Sequence, residues 1–238
     1  MPKIKTPKGD YYYRPVNLTI HNNTINREVA FENLKVVIRI LREAKVQMSP
    51  AFGTLLGIIR ENNFIEWDTD IDLFVLGEDK EKLLESLWPM KEEGLELVRV
   101  DRCNHLYSVM RNGEYIDFYI MDSISPEIRT NYGDSFVLEK YLSDLIDWDF
   151  RGLSISVPRE YEQCLEFFYG DWRTPVKYFK SKHKFSYRVK KYILFHLKQK
   201  LPYKLQFWLL KRRHRKDLEK FLDKCNKRNV ILQYKINY

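Results

Sequence analysis

Asp70 and Asp72 stand two residues apart at the head of an apolar run, Ile71, Leu73, Phe74, Val75 and Leu76. Side chains alternate along a strand, so the two carboxylates share one face and Ile71 turns to the other. The run itself reads as a buried strand. Two like charges on one face at the mouth of such a strand repel unless a cation sits between them. A hard divalent ion with oxygen ligands, Mg²⁺ or Mn²⁺, answers that need. Taken alone, such a pair is more often a solvated turn than a metal site, with Asp68 and Thr69 capping a turn.

The surrounding pattern favours a mixed α/β fold. From Asn26 to about Val46, Val29, Leu34, Val37, Ile38 and Leu41 line one side of a helix and charged residues the other. Met48 to Phe52 reads as a short strand entering a turn at Gly53-Thr54, with a short helix over 55–60. Lys80 to Met90 forms a second amphipathic helix, closed by Pro89 and Gly94. Strands follow over 95–100, 106–110 and 115–121, the last two joined by Asn112-Gly113, a strong hairpin signal. A further strand covers 153–157, and Pro158 opens a helix that stops at Gly170. Residues 1–25 are irregular, a strap laid over a later surface. The expected division is that strap, a catalytic domain over 26–176 and a basic helical segment over 177–238.

A third acid is needed to hold two metals or to activate a nucleophile, and Asp117, alone among β-formers in Tyr115-Ile116-Asp117-Phe118-Tyr119, is the best candidate. Three carboxylates on adjacent strands can bind one or two Mg²⁺ that bridge a substrate's phosphates. Gly53 and Thr54 would turn backbone N–H groups toward phosphate oxygens at a helix start. Arg60, further along that helix, could add a guanidinium fork to the same phosphate. Each has a plainer role: Asp117 as an edge residue facing water, Arg60 as half of a surface ion pair.

The block Gly53-Thr54-Leu55-Leu56-Gly57-Ile58-Ile59-Arg60, followed by Phe64-Ile65 and Trp67-Asp68-Thr69-Asp70-Ile71-Asp72, resembles the signature of the LicD family, which is related to the fukutin group. The resemblance resumes at Val157-Pro158 and at Tyr169-Gly170-Asp171-Trp172, and spans roughly residues 26–180. It implies a nucleotidyltransferase-like core and metal-dependent transfer of a phospho-alcohol, such as phosphocholine or phosphoethanolamine, from a cytidine diphosphate donor to a sugar hydroxyl. It makes Asp70, Asp72 and Asp117 the metal-binding and catalytic acids, and Gly53, Thr54, Arg60 and Asp68 the substrate contacts. Thr69 within the acidic run, Glu61 after the arginine and Glu66 in place of a proline depart from the family pattern. They leave the paired acids intact and the donor head group open.

Net charge is +8, and its distribution is uneven: residues 177–216 hold 15 Lys or Arg and no acid, leaving 26 basic and 33 acidic residues elsewhere. A block this one-sided seeks a polyanion. Apolar residues recur every four positions from Val189 to Leu201 and restart at Leu205, Trp208 and Leu209, so 187–216 reads as two basic amphipathic helices suited to an anionic membrane surface. A packed helical layer with a solvated basic face is the plainer alternative, and no recognised nucleic-acid-binding module accompanies the charge. The three cysteines, Cys103, Cys164 and Cys225, have neither metal-ligand nor disulfide spacing, the N-terminus lacks a signal-peptide core, and no apolar run could span a bilayer. The expectation is a cytoplasmic protein, peripheral at the inner face of the membrane. A nucleotidyltransferase using the same site, or a binding module with a degenerate site, are the competing readings.

Overall fold

Helix α1 (Arg27–Glu43) forms where Ala30, Leu34, Val37, Ile38 and Leu41 recur at helical spacing, and all five are buried. Asn26 starts it by accepting a 3.2 Å hydrogen bond from the Val29 amide. The computed structural model describes residues 1–18, 24–102, 104–133, 135–176 and 203–233. Ahead of α1, the expected strap contains an antiparallel hairpin, β1 (Lys3–Thr6) and β2 (Gly9–Tyr12). Tyr11 is buried there, its ring edge-on to Trp88 at 5.1 Å.

The main sheet runs in the order β3 (Met48–Pro50), β4 (Ile71–Leu76), β7 (Glu114–Ser125), β6 (Leu106–Arg111), β5 (Glu96–Asp101), with β8 (Ile128–Thr130) and β9 (Phe136–Leu138) extending from the far end of β7. The β4–β7 pair is parallel and every other pair in it is antiparallel, so the sheet is mixed. One face carries Ile71, Leu73 and Val75 beside Ile116, Phe118 and Ile120, all fully buried. The other face carries Asp72 and Phe74 beside Asp117 and Tyr119. Helix α3 (Lys80–Glu92) packs on α1 and β5. A separate ribbon, β10 (Leu145–Phe150) with β11 (Leu153–Pro158), follows the short α4 (Lys140–Ser143), and α5 (Tyr161–Tyr169) ends at Gly170.

Several sequence expectations shift at their edges. Gly53 and Thr54 are not a turn before the short helix but lie in the first turn of α2 (Phe52–Glu61), because the extended Ala51 caps it and accepts the Leu55 amide at 3.1 Å. Pro89 sits inside α3 near its end, and Pro158 ends β11 opposite Leu145 instead of opening α5. The Asn112-Gly113 turn is as expected, with φ of 54° and 85°. Buried Asn33 on α1 ties that turn down, donating to the Arg111 carbonyl at 2.8 Å and accepting from Arg111 Nε at 2.7 Å. Locking the turn locks the β6–β7 register, on which the acid cluster depends.

Among the described residues, contacts divide the chain into two units, one running to residue 172 and joined by 232–233, the other within 173–231. In the second, α6 (Tyr203–Lys227) includes the expected restart at Leu205; the helix expected over 187–201 lies outside the described residues. Among the described residues no helix is long and apolar enough to cross a membrane.

Candidate active site

Parallel pairing of β4 with β7 puts Asp72 directly opposite Asp117, and Asp70 lies just ahead of β4. One oxygen from each of Asp70, Asp72 and Asp117 falls within 4.8 Å of the others. The sequence expectation that Asp117 stands beside the Asp70–Asp72 strand therefore holds. Its plainer role, an edge residue facing water, does not, since β7 lies between β4 and β6 and Asp117 is 2% exposed.

Burial is the main cause of an altered proton affinity at both sheet acids. It pushes Asp117 up to about 6, against the opposing pull of Arg99 and Ser108. It pushes Asp72 well above the usual carboxylate range, with the charges of Asp70, Asp117 and Asp68 adding to the effect and a hydrogen bond from Tyr119 opposing it. Oδ1 of Asp72 and Oδ1 of Asp117 are each sealed from solvent without a hydrogen-bond partner among the described residues. Unpartnered carboxylate oxygens aligned on neighbouring strands are costly unless a cation or proton satisfies them. An all-oxygen donor set of this kind suits Mg²⁺ or Mn²⁺. The three acids can hold a divalent cation.

Helix α2 is fastened to this cluster at its N-terminal end. The Thr54 hydroxyl, buried, accepts a 2.9 Å hydrogen bond from the Asp72 amide, and the Ala51 amide donates to the Asp72 carbonyl at 2.9 Å. A Cβ on Gly53 would collide with the Asp68 carboxylate, so glycine there lets the acid lie against the first turn of α2. A Cβ on Gly57 would come within 2.6 Å of the Asn63 carbonyl, which fixes the return of the chain toward β4. At the other end of α2, Arg60 donates to the Trp172 carbonyl at 3.1 Å and to Glu61 at 2.6 Å, while its Nε is buried without a partner among the described residues. Tyr169, in the same Tyr-Gly-Asp-Trp run, has its phenol pushed up by burial and then by the charges of Asp68 and Asp72, with Arg60 opposing. The two halves of the sequence signature and its closing run thus surround the same acids.

Four further side chains belong here that the sequence reading did not single out. Arg99 donates to Asp117 and, at 2.8 Å through Nε, to Ser108. Tyr119 and Tyr115 stand beside the acids, their phenols pushed up first by burial and then by the charges of Asp72, Asp117 and Asp70. The tyrosines were legible in principle, because 115, 117 and 119 alternate onto one face. Ser108 follows once the hairpin register is drawn, whereas Arg99 depends on a bulge that no pattern announces.

Residues 45–160 match the model of the LicD/FKTN/FKRP nucleotidyltransferase domain. That stretch, just under half of the chain, is similar to a LicD-type nucleotidyltransferase domain. None of the curated proteins matches the sequence significantly. Among solved structures, the chain is similar to lincosamide antibiotic adenylyltransferase LnuA bound to lincomycin, at 12% identity and a TM-score of 0.42, over 60% of this chain and 86% of that one. It is also similar to the antibiotic-resistance factor ANT(2'')-Ia, at 14% identity and a TM-score of 0.44, over 84% of this chain and 99% of that one. The matched stretch begins just before β3 and ends just after β11, so it takes in the whole acid cluster. Thr54, Gly57 and Arg60 fall inside it, and Tyr169 and Trp172 fall beyond it.

Proposed function

We propose that the protein transfers a phospho-alcohol from a cytidine diphosphate donor to a sugar hydroxyl of a glycan or lipid-linked precursor. The observation that carries this reading is the cluster of Asp70, Asp72 and Asp117 inside a LicD-type domain, with two of its oxygens sealed and unpartnered. Asp70, Asp72 and Asp117 would hold Mg²⁺ or Mn²⁺. When bound, the ion neutralises charge on the donor's diphosphate and on the departing phosphate.

The remaining work falls to the chain's own groups. Gly53 and Thr54 offer the first turn of α2, where free backbone N–H groups and the helix dipole favour an anion. Arg60 contacts a donor phosphate, and Asp68 orients the donor against that turn. Asp117 or a neighbouring acid takes the proton of the attacking sugar hydroxyl. The hydroxyl oxygen forms a new bond to the phosphorus carrying the alcohol, the bond from that phosphorus to the bridging oxygen breaks, and cytidine monophosphate leaves with the electron pair. Choline, ethanolamine and glycerol head groups all suit this scheme. Incubating the protein and Mg²⁺ with a panel of cytidine diphosphate alcohols and acceptor sugars should release cytidine monophosphate. Release of pyrophosphate from a nucleoside triphosphate, with a nucleotide on the acceptor, would establish nucleotidyl transfer in its place.

The basic C-terminal segment suits an acceptor presented at a membrane. On α6, His214, Leu218, Phe221 and Cys225 form a buried stripe. By the 3.6-residue period, Leu205, Trp208, Arg212 and Lys216 fall on the opposite side. Leu205 and Trp208 are 41% and 53% exposed, and the Arg212 guanidinium lies 5.5 Å from the Trp208 ring. An exposed Trp and Leu framed by cations is the composition of a helix lying in an anionic lipid interface. A protein so placed works from the cytoplasmic side, where anionic lipid is enriched.

A further inference from the structure

We propose that Arg99 is a positioning residue for the acid cluster, delivered by a bulge in β5 so that its guanidinium fixes which oxygen of Asp117 faces the cation. The inference rests on the reading of Asp70, Asp72 and Asp117 as a cation site. Four residues line up across four strands: Asp72 opposite Asp117, Asp117 opposite Ser108, and Ser108 opposite Arg99. Paired residues share a face, so all four side chains lie on the side of the acids.

An unbroken ladder would not give this row. Leu97 pairs with Val109, which would put Val98 opposite Ser108, but the register shifts between Leu97 and Arg99 and brings Arg99 there. Bulges re-aim side chains in this way. The displaced Val98 is covered: it is buried with Leu18 and Tyr115, with Val16 and Met110 packed against them. Its carbonyl accepts the Val16 amide at 2.9 Å. The N-terminal strap thus holds the bulge, and the bulge holds Arg99.

The consequence at Asp117 is a division of labour between its oxygens. Oδ2 receives Arg99 Nη2, and Arg99 Nε is held in turn by Ser108. Oδ1 is left sealed and unpartnered, like Oδ1 of Asp72 on the next strand. A planar guanidinium held at two of its nitrogens fixes the carboxylate's rotation; a lysine ammonium in its place supplies the charge without the fork.

The test is direct Mn²⁺ binding to the full chain without substrate, read as free Mn²⁺ by electron paramagnetic resonance, for the parent, Arg99→Lys, Arg99→Met and Ser108→Ala. Unfolding in chelator establishes that each variant is folded. If Arg99 orients Asp117, Arg99→Lys weakens Mn²⁺ binding about tenfold or more although the charge is kept, and Ser108→Ala weakens it in the same direction by less. If Arg99 merely balances a buried charge, Arg99→Lys binds as the parent does and Arg99→Met binds more tightly; that result overturns the inference. Should Arg99→Met fail to fold, Arg99→Lys and Ser108→Ala decide. A parent protein that binds no Mn²⁺ overturns the cation site and the inference with it, whereas a binding parent with unchanged variants overturns the inference alone.

Discussion

The hydroxyl of Thr54 accepts the backbone N–H of Asp72 at 2.9 Å, across 18 residues of sequence. This one bond joins the Gly-Thr end of the signature to its acidic end and sets the height of β4 against α2. Its loss leaves a donor without its partner beside the metal acids, at about 1–3 kcal/mol. Thr54→Val, which keeps the shape and removes the acceptor, should therefore lower the unfolding free energy by that amount and weaken Mg²⁺ binding. Thr54→Ser should restore both. Denaturant unfolding together with metal titration checks this, and equal behaviour of the valine and serine variants would remove the anchoring role.

Asp117 carries a pH signature. Its folded proton affinity, raised to about 6 by burial, exceeds the ordinary carboxylate value of 3.8. Between those values the folded chain binds more protons than the unfolded one, so the contribution of Asp117 to metal-free stability falls as pH rises from about 4 to about 6. A shift of that size corresponds to roughly 3 kcal/mol. Mg²⁺ needs the ionised acids and competes with the protons, so its stabilising effect should be small at pH 5 and large at pH 7.5. Thermal unfolding with Mg²⁺ and with chelator at the two pH values measures the difference; an equal gain at both would contradict it.

Asp72→Asn should reduce turnover by at least about 10²-fold, since it removes one of the acids that stabilise charge in the transition state. The same change relieves repulsion from Asp70, Asp117 and Asp68, so at neutral pH in chelator the variant should be as stable as the parent or more so. An inactive variant that is more stable than its parent is the signature of a functional acid rather than a structural one. Near-normal Mg²⁺-dependent turnover would falsify the metal assignment.

How much of this was legible in the sequence follows from which interactions are local. Asp70 and Asp72 could be placed on one face because strand alternation is set by the backbone alone, and Asn112-Gly113 fixed a turn through its own positive φ values. Asp117 was found by composition, as a lone acid among β-formers. Its position opposite Asp72 came only with the parallel pairing of β4 and β7, a long-range choice made by burial. Arg99 was out of reach because a bulge at Val98, held by Val16, changes which residue meets Ser108. The β10–β11 ribbon went half unseen because Asp147 and Asp149 interrupt the apolar pattern of β10, where both acids point to solvent.

Arg60 has one structural duty and, in the proposed function, a second at the donor phosphate. It ties α2 to the Trp172 carbonyl, and its buried Nε has no partner among the described residues. We expect Arg60→Ala to weaken donor affinity about tenfold and to cost about 1–2 kcal/mol of stability, through the lost bond to Trp172. Arg60→Lys should recover part of the donor affinity, since charge returns without the two-pronged geometry. Calorimetric titration of a cytidine diphosphate alcohol separates the duties: unchanged donor affinity with reduced stability would leave Arg60 a purely structural residue.

The exposed face of α6 can be tested without touching its buried stripe. Trp208→Ser removes the largest exposed apolar side chain, and Arg212→Glu with Lys216→Glu reverses two charges on the same side. His214, Leu218, Phe221 and Cys225 stay as they are, so the helix keeps the contacts that bury it. If this face lies on anionic lipid, the parent should sediment with vesicles containing phosphatidylserine and not with neutral ones. Added salt should weaken its binding, because exposed charges are screened over about 8 Å at physiological ionic strength. Each basic residue near such a surface contributes about 1 kcal/mol, so the double charge reversal should lower vesicle affinity by well over tenfold. Trp208→Ser should weaken binding in a way that salt does not mimic, since its contribution is apolar. Transfer to a soluble sugar acceptor should persist in all three variants, which separates membrane attachment from chemistry. A parent protein that stays in the supernatant even at low salt would leave Leu205, Trp208, Arg212 and Lys216 as an ordinary solvated helix face.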